Sequence, residues 1–184
     1  MSWFRRSHDG AGEGDPAMAD DLAAMRRYAR ALARDSHDAD DVVQDALVRA
    51  IEGQRSFRPE CSRRRWLLAI VHNVFVSRKR REAAEARRND RFAEQLVAHV
   101  DPAQEQHARL ARIAQAFAAL TEPHRAVIHL VVIEGLSYQD VADILAVPIG
   151  TVMSRLARAR AALKQQETDA GGPARLRLIG GEDD

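Results

Sequence analysis

Apolar residues recur at helical spacing along most of this chain, and nowhere does a sustained alternation of β-branched residues mark a strand. Leu22, Met25, Ala29 and Leu32 form one inward stripe, which predicts a helix over 20–34. Val43, Ala46, Leu47 and Ala50 predict a second over 39–52; Gly53 ends it, and Ser56-Phe57-Arg58-Pro59 reads as a loop. In a long third helix, 62–88, one broad apolar face carries Leu67, Leu68, Val71, Val74 and Phe75. After a less regular stretch at 89–101, Asp101-Pro102 opens a helix over 102–120, and Thr121 before Pro123 gives a cap-then-proline start for another over 122–134. The pattern predicts an all-α fold of two small helical domains, 20–88 and 102–166, joined by a flexible linker at 89–101. Residues 1–19 read as a disordered leader and 167–184 as a loose tail, since both mix Gly with charge and lack a period. Domains of about 60–70 residues are small but sufficient for a helical bundle.

The stretch from Ile133 to Lys164 is the most specific. Gly135 ends one helix, and Ser137 three residues before Asp140 is a capping-box pattern that starts the next. Ala146-Val147-Pro148 breaks that helix, and the following one begins near Pro148, because proline is tolerated in a first turn but not in a helix interior. Val152, Leu156, Ala159 and Leu163 then face inward, while Ser154, Arg158, Ala161 and Gln165 face out, with Thr151 and Arg155 on one flank and Arg160 on the other. From Pro148 to Gln166 there are four basic residues and no acid. Two short helices joined by a tight turn, the second one basic, predict a helix-turn-helix whose second helix enters a DNA groove.

A net charge of +1 hides a segregation of opposite charges. Asp35 to Asp45 holds five acids and no Lys or Arg, whereas Ser62 to Arg91 holds ten Lys and Arg against three acids. One surface should therefore seek a basic partner and another a polyanion. On the second helix Asp41, Asp45, Val48 and Glu52 share the outward face with Gln44 beside them; Asp45 and Glu52 lie too far along to serve only the helix dipole. On the third, Trp66, Ile70, Asn73, Ser77 and Arg80 line up at spacings of four, three, four and three, followed by the basic run Arg78-Lys79-Arg80-Arg81. A stacking ring, hydrogen-bonding groups and phosphate neutralisers on one line suit single-stranded nucleic acid, although Trp66 as a core residue with a solvated basic helix end fits the same spacing.

Other chemistries lack residues. Cys61 is the one cysteine, so a disulfide framework or thiolate zinc cluster is excluded, and the seven histidines are scattered; no metal and no cofactor are expected. No Gly-rich phosphate loop, nucleophile-base pair or catalytic carboxylate pair occurs at usable spacing, so no enzyme and no catalytic residues are expected. With no apolar run approaching about 20 residues and no signal-peptide core, membrane insertion is not expected and a cytoplasmic location is.

Three motifs in order carry a resemblance: Asp38-Ala-Asp-Asp-Val-Val-Gln-Asp-Ala-Leu-Val-Arg-Ala50; Trp66-Leu-Leu-Ala-Ile-Val-His-Asn73 with its trailing basic run; and Leu120-Thr-Glu-Pro-His-Arg-Ala126 through Gly150-Thr-Val-Met-Ser-Arg-Leu-Ala-Arg-Ala-Arg160. They cover most of 20–165 and resemble bacterial RNA polymerase sigma factors of the extracytoplasmic-function (ECF) group, sigma-70 family. The resemblance implies a region 2 bundle over 20–88 and a region 4 helix-turn-helix over 102–166. It implies that Asp41, Gln44, Asp45 and Val48 dock on the clamp helices of the polymerase largest subunit, and that region 4 docks on the flap. It further implies that Trp66, Asn73, Ser77, Arg78, Arg80 and Arg81 act on the minus-ten element of promoter DNA, with a flipped base near Phe57 to Ser62. Thr151, Ser154, Arg155, Arg158 and Arg160 would act on the minus-thirty-five element. An anti-sigma factor that covers these surfaces is expected on the same ground. Relatives often carry an acid near Ser77 and a basic or polar residue at Met153, so promoter preference does not transfer.

Two alternatives stay open at this level: a sigma mimic that sequesters an anti-sigma factor without reading DNA, and a conventional helix-turn-helix regulator. Arg155, Arg158 and Arg160 speak against the first, and the Trp66 to Arg81 face against the second.

Overall fold

The computed structural model describes residues 16–33, 35–57, 62–89 and 113–170, and among them only helices, turns and loops occur. Helix α1 is Pro16–Leu32, α2 is Ser36–Glu52, followed by a 3-10 turn Gly53–Ser56, and α3 is Arg63–Asn89. After residues 90–112, which lie outside the described set with nearly all of the predicted linker, come α4 at 113–119, α5 Glu122–Ile128, a π turn His129–Ile133, α6 Tyr138–Leu145 and α7 Ile149–Ala170.

Helices α1, α2 and α3 pack on one another around Met25, Tyr28, Leu32, Val42, Leu68, Val71 and Val74, all essentially without exposed surface. Helix α1 starts at Pro16, inside the stretch predicted as disordered leader; proline's fixed φ suits a first turn, so the helix gains an extra turn there. Its Leu22 is only half-buried. In α2 the predicted core face is turned: Ala39 and Val42 are buried and Leu47 is 36% exposed. α2 is wedged between α1 and α3, and the small Ala39, Val42, Val43, Ala46 and Ala50 let both approach closely, which leaves the larger leucine at the margin. Leu67 of α3 is likewise half-buried.

The C-terminal module is built on α7, against which α5 and α6 pack through Val127, Leu130, Val141, Val152, Leu156 and Ala159. Its turns follow the local chemistry. Gly135, at φ +68, reverses the chain after the π turn, and Leu136 N–H donates to Leu130 O at 3.0 Å. The Ser137 hydroxyl oxygen accepts from Asp140 N–H at 3.1 Å and donates to the Asp140 carboxylate at 2.7 Å, and the same carboxylate accepts from the Ser137 backbone N–H, so the capping box forms. Thr121, in contrast, caps α5 through its carbonyl, which accepts from His124 and Arg125 N–H, both at 3.0 Å, and not through its side chain. Pro148 precedes α7, its carbonyl accepting from Thr151 N–H at 2.8 Å. α7 continues to Ala170, beyond the predicted start of the loose tail.

The two modules are not separate bodies. One hydrophobic core runs through both: α1 meets α5 and the π turn, and α3 meets α6.

Ala146 closes α6 with φ 52 and ψ 47, a left-handed conformation that disfavours any side chain with a Cβ. Replacing Ala146 with Gly is expected to raise stability by about 0.5 kcal/mol, the relief of that strain exceeding the added freedom of the unfolded chain. Thermal melting reads this directly, and a lowered midpoint would contradict it.

Candidate nucleic-acid and protein interfaces

Three stripes divide the surface of α3. The first, centred on Leu68, Val71 and Phe75, is the core of the N-terminal module. The second is the line anticipated from the sequence: Asn73 and Arg80 are exposed, and Trp66, Ile70 and Ser77 are half-buried. Trp66 packs on Phe57 from the loop before α3, ring centroids 5.3 Å apart and tilted by 59°. The indole is thus held by its loop at one edge of the face, with neither the full burial of a core tryptophan nor full exposure. Arg81 is exposed, and its guanidinium donates to Ser77 O at 3.4 Å.

Arg78 departs from that line. Its guanidinium lies against α2, 3.0 Å from Asp41 Oδ2 and 3.6 Å from Asp45 Oδ2. At 100° per residue Arg78 falls on the opposite side of α3 from Asn73, so its side chain lies on the acidic face, although it was expected among the minus-ten residues as part of the basic run Arg78-Lys79-Arg80-Arg81. The acidic face has two halves. Asp41, Asp45 and Glu52 lie on one side of Val48, while Gln44, Leu47 and Ile51 lie on the other; Val48 is 54% and Ile51 62% exposed. Ile51 and Leu47 were not anticipated as surface residues, although the position of Ile51, three residues after Val48 and four after Leu47, was available as a signal.

The third stripe of α3, Arg65, His72 and Lys79 at seven-residue intervals, faces the C-terminal module. Arg65 pairs with Asp140 and stands 3.6 Å from Asp143, and Lys79 lies 3.2 Å from Glu122. His72 Nδ1 is 3.1 Å from the Tyr28 hydroxyl, and the Tyr28 ring stacks on His129 at 5.3 Å. Glu134, whose side chain has no exposed surface, lies 3.0 Å from Arg27, 3.3 Å from His129 and 3.8 Å from Arg64. Arg63 joins the same rim through Asp21 at 2.5 Å. Most deeply placed is Arg125, 5% exposed, which donates to Ala31 O at 2.7 Å, Leu32 O at 3.0 Å and Leu120 O at 2.5 Å. A side chain of α5 thereby satisfies carbonyls left open at the C-terminal end of α1.

On α7, Arg158, Arg160 and Ser154 are exposed, with the Ser154 hydroxyl donating to Thr151 O at 3.0 Å. Thr151 and Arg155 are half-buried; Arg155 is near enough to His72 for its charge to disfavour protonation there. The outward half of α7 therefore stays open while its Arg155 flank turns toward the N-terminal module. No group of three or more His, Cys, Asp and Glu positioned to hold a metal occurs among the described residues. No helix among them is long and apolar enough to cross a membrane.

Residues 18–72 match the family described as the Sigma2 domain of PhyR, and residues 110–163 match Sigma-70, region 4. The ECF RNA polymerase sigma factor EcfG of Rhodopseudomonas palustris is 33% identical over 154 residues, which span 80% of this chain and 83% of that protein. This chain belongs to the ECF sigma factors. SigM of Mycobacterium tuberculosis, also an ECF RNA polymerase sigma factor, is 37% identical over 76% of this chain and 69% of its own length. Among solved structures, the sigma factor RpoE of Bartonella quintana in complex with the anti-sigma factor NepR superposes with a TM-score of 0.71 at 33% identity, covering 83% of this chain and 95% of that one. CnrH in complex with the cytosolic domain of CnrY gives 0.57 at 30% identity, covering 84% and 86%. The region 2 and region 4 modules of the family are thus the N- and C-terminal modules described above.

Two outcomes follow from the contact between the modules. Arg125→Met leaves buried carbonyls of α1 unpaired and is expected to cost about 3 kcal/mol in urea denaturation; a loss below 0.5 kcal/mol would show that the Arg125 contacts do not hold the modules. The second concerns pH. Burial is the main cause that holds His129 below its ordinary 6.5, with Arg27 adding to it and the charge and hydrogen bond of Glu134 opposing. Burial and then Arg155 lower His72, against Glu122. Opening the contact would relieve that burial and let both histidines bind protons more readily, so closure is expected to hold above about pH 6.5 and to weaken as the pH falls below it. X-ray scattering should show expansion from about pH 7.5 to about pH 5.5, and less in His72→Gln/His129→Gln. An unchanged radius of gyration would contradict the assignment.

Proposed function

We propose that this protein binds core RNA polymerase in the cytoplasm, directs it to a specific set of promoters and helps open their minus-ten element, as an initiation factor without catalytic chemistry of its own. The observation that carries the reading is the coexistence, on one sigma-family chain, of an amphipathic acidic face on α2 and an exposed basic outward face on α7.

In this reading Asp41, Gln44, Asp45 and Val48, extended by Leu47 and Ile51, meet the clamp helices of the polymerase largest subunit: carboxylates for basic side chains, and an apolar margin that contributes by burial. Arg78 holds Asp41 and Asp45 in place and is a positioning residue for that surface, not a minus-ten contact. Trp66, Asn73, Ser77, Arg80 and Arg81 receive the separated strand. Capture of an extruded base by stacking contributes about 1–3 kcal/mol, enough to offset unstacking of about a few kcal/mol when several bases are held. Ser154, Arg158 and Arg160, with Thr151 and Arg155 at the flank, engage the minus-thirty-five groove. Val132 and Ile133, 54% and 55% exposed at the π turn, offer an apolar patch for the polymerase flap.

The closed contact between the modules bears on this cycle. Arg64 and Arg65, which begin α3 beside Trp66, are engaged by Glu134, Asp140 and Asp143 of region 4. Polymerase sets the two modules at promoter spacing, so its binding energy has to replace these contacts. An anti-sigma factor, by analogy with the NepR and CnrY complexes of the similar sigma factors, would bind the closed form.

A second reading has one observation in its favour: region 2 matches the Sigma2 domain of PhyR, and PhyR of Bartonella quintana is described as an anti-anti-sigma factor in its complex with NepR. A mimic that sequesters an anti-sigma factor needs no polymerase contact. Run-off transcription with core polymerase on promoters selected from the source genome separates the two. Wild type should yield specific transcripts, and Asp41→Ala/Asp45→Ala should lower them at least tenfold. No transcript together with no binding to core polymerase would favour the mimic.

A further inference from the structure

Met153 is an exposed methionine on a helix that the reading above places in a DNA groove. It is 48% exposed, and Ile149, one turn before it, is 40% exposed. Gly150, Met153, Ala157 and Arg160 fall on a single stripe of α7, adjoining the stripe of Ser154, Arg158 and Ala161. Gly150, Ser154 and Ala157 beside Met153 are small, so its thioether stands above a low surface, with Ile149 one turn before it and Arg160 two turns after it on the same side of the helix. Nothing in the fold requires this arrangement. A Cβ built at Gly150 would meet no atom within 4 Å, so the bare first turn of α7 is not there for internal packing.

The charge of this face selects the partner. From Ile149 to Gln166 α7 carries Arg155, Arg158, Arg160 and Lys164 and no acid, which complements a polyanion. A helix seated in the major groove meets base edges with its N-terminal residues first, and those edges present hydrogen-bonding atoms with one apolar exception, the C5-methyl group of thymine. Methionine and isoleucine cannot pair with the polar edges of G·C and would desolvate them without recompense. Against a thymine methyl they bury apolar surface, and the flexible thioether can follow the groove wall to reach it.

We infer that Met153, supported by Ile149, reads the C5-methyl group of a thymine in the upstream promoter element and so sets a base preference of this sigma factor. Met153 is then a specificity residue, while Arg158 and Arg160 supply affinity. The inference rests on the proposed sigma-factor function, and its test separates the two.

Holoenzyme formed from core polymerase and the full chain is used to select fragments from a promoter library randomised over the upstream element, and bound fragments are remade with deoxyuridine at each thymine in turn. Deoxyuridine keeps every hydrogen-bonding atom and removes only the methyl. With wild type, one such replacement should weaken binding about fourfold, the value of one buried methyl. Met153→Ala should bind the thymine and uracil fragments equally, whereas Met153→Leu should keep the difference; because the side chain is half exposed, thermal melting of both variants should match wild type. Selection of specific fragments with no uracil effect at any position, or an effect undiminished in Met153→Ala, would overturn the inference and leave the sigma-factor reading standing. Recovery of no specific fragment, with Arg158→Ala behaving as wild type, would overturn both.

Discussion

Arg125 is a cation with almost no access to solvent, placed where helix α1 ends and α5 begins, and the arrangement of the two modules depends on how its charge is met. The carbonyls of Ala31 and Leu32, unpaired at the end of α1, and that of Leu120 at the start of the C-terminal module receive its donors. A buried charge without such partners would be far too costly to keep, and helix carbonyls without donors would add to the cost. Each side therefore needs the other. The apolar surface that α1 presents to α5 stays covered only while this contact persists, and Glu134, Asp140 and Glu122 extend it as a rim of ion pairs around the Tyr28 and His129 stack.

This geometry gives the three stripes of α3 different surroundings. Its core stripe holds the N-terminal bundle together, its Asn73 and Arg80 stripe remains open, and its Arg65, His72 and Lys79 stripe is occupied by region 4. The solvent-accessible pairs of Asp140 and Glu122 are individually weak, about 0–1 kcal/mol each, so that part of the rim can be exchanged for contacts with a larger partner without unfolding either bundle, whereas the pairing of Glu134, whose side chain has no exposed surface, is costlier to break. The arrangement suits a protein that has to change partners: strong packing within each module, and between them a contact whose outer part is electrostatic and exchangeable.

Much of the fold was legible in the sequence because it rests on local rules. The capping box at Ser137 and Asp140, the reversal at Gly135, the break before Pro148 and the inward Val152, Leu156 and Ala159 of α7 each depend on residues within one or two turns. The orientation of α2 was less legible. Leu47 reads as core by its size, but two flanking helices select Ala39 and Val42, and the leucine is left at the surface beside Val48 and Ile51. Arg78 shows the same limit for a charged surface residue. In a run of four basic residues nothing local distinguishes it from Arg80, and only the position of α2 brings Asp41 and Asp45 to it.

The amino-acid sequence by itself determined the helical elements, their caps, the segregation of acidic and basic surfaces and membership of the sigma family, because each is carried by residues near one another in the chain. Tertiary structure alone decided that Arg65, His72 and Lys79 face region 4, that Arg125 is buried against α1, and that Arg78 belongs to the acidic surface. Those outcomes depend on groups between 33 and 94 positions apart in sequence, and helical periodicity, which identifies the face a residue occupies, carries no information about which distant element will cover that face.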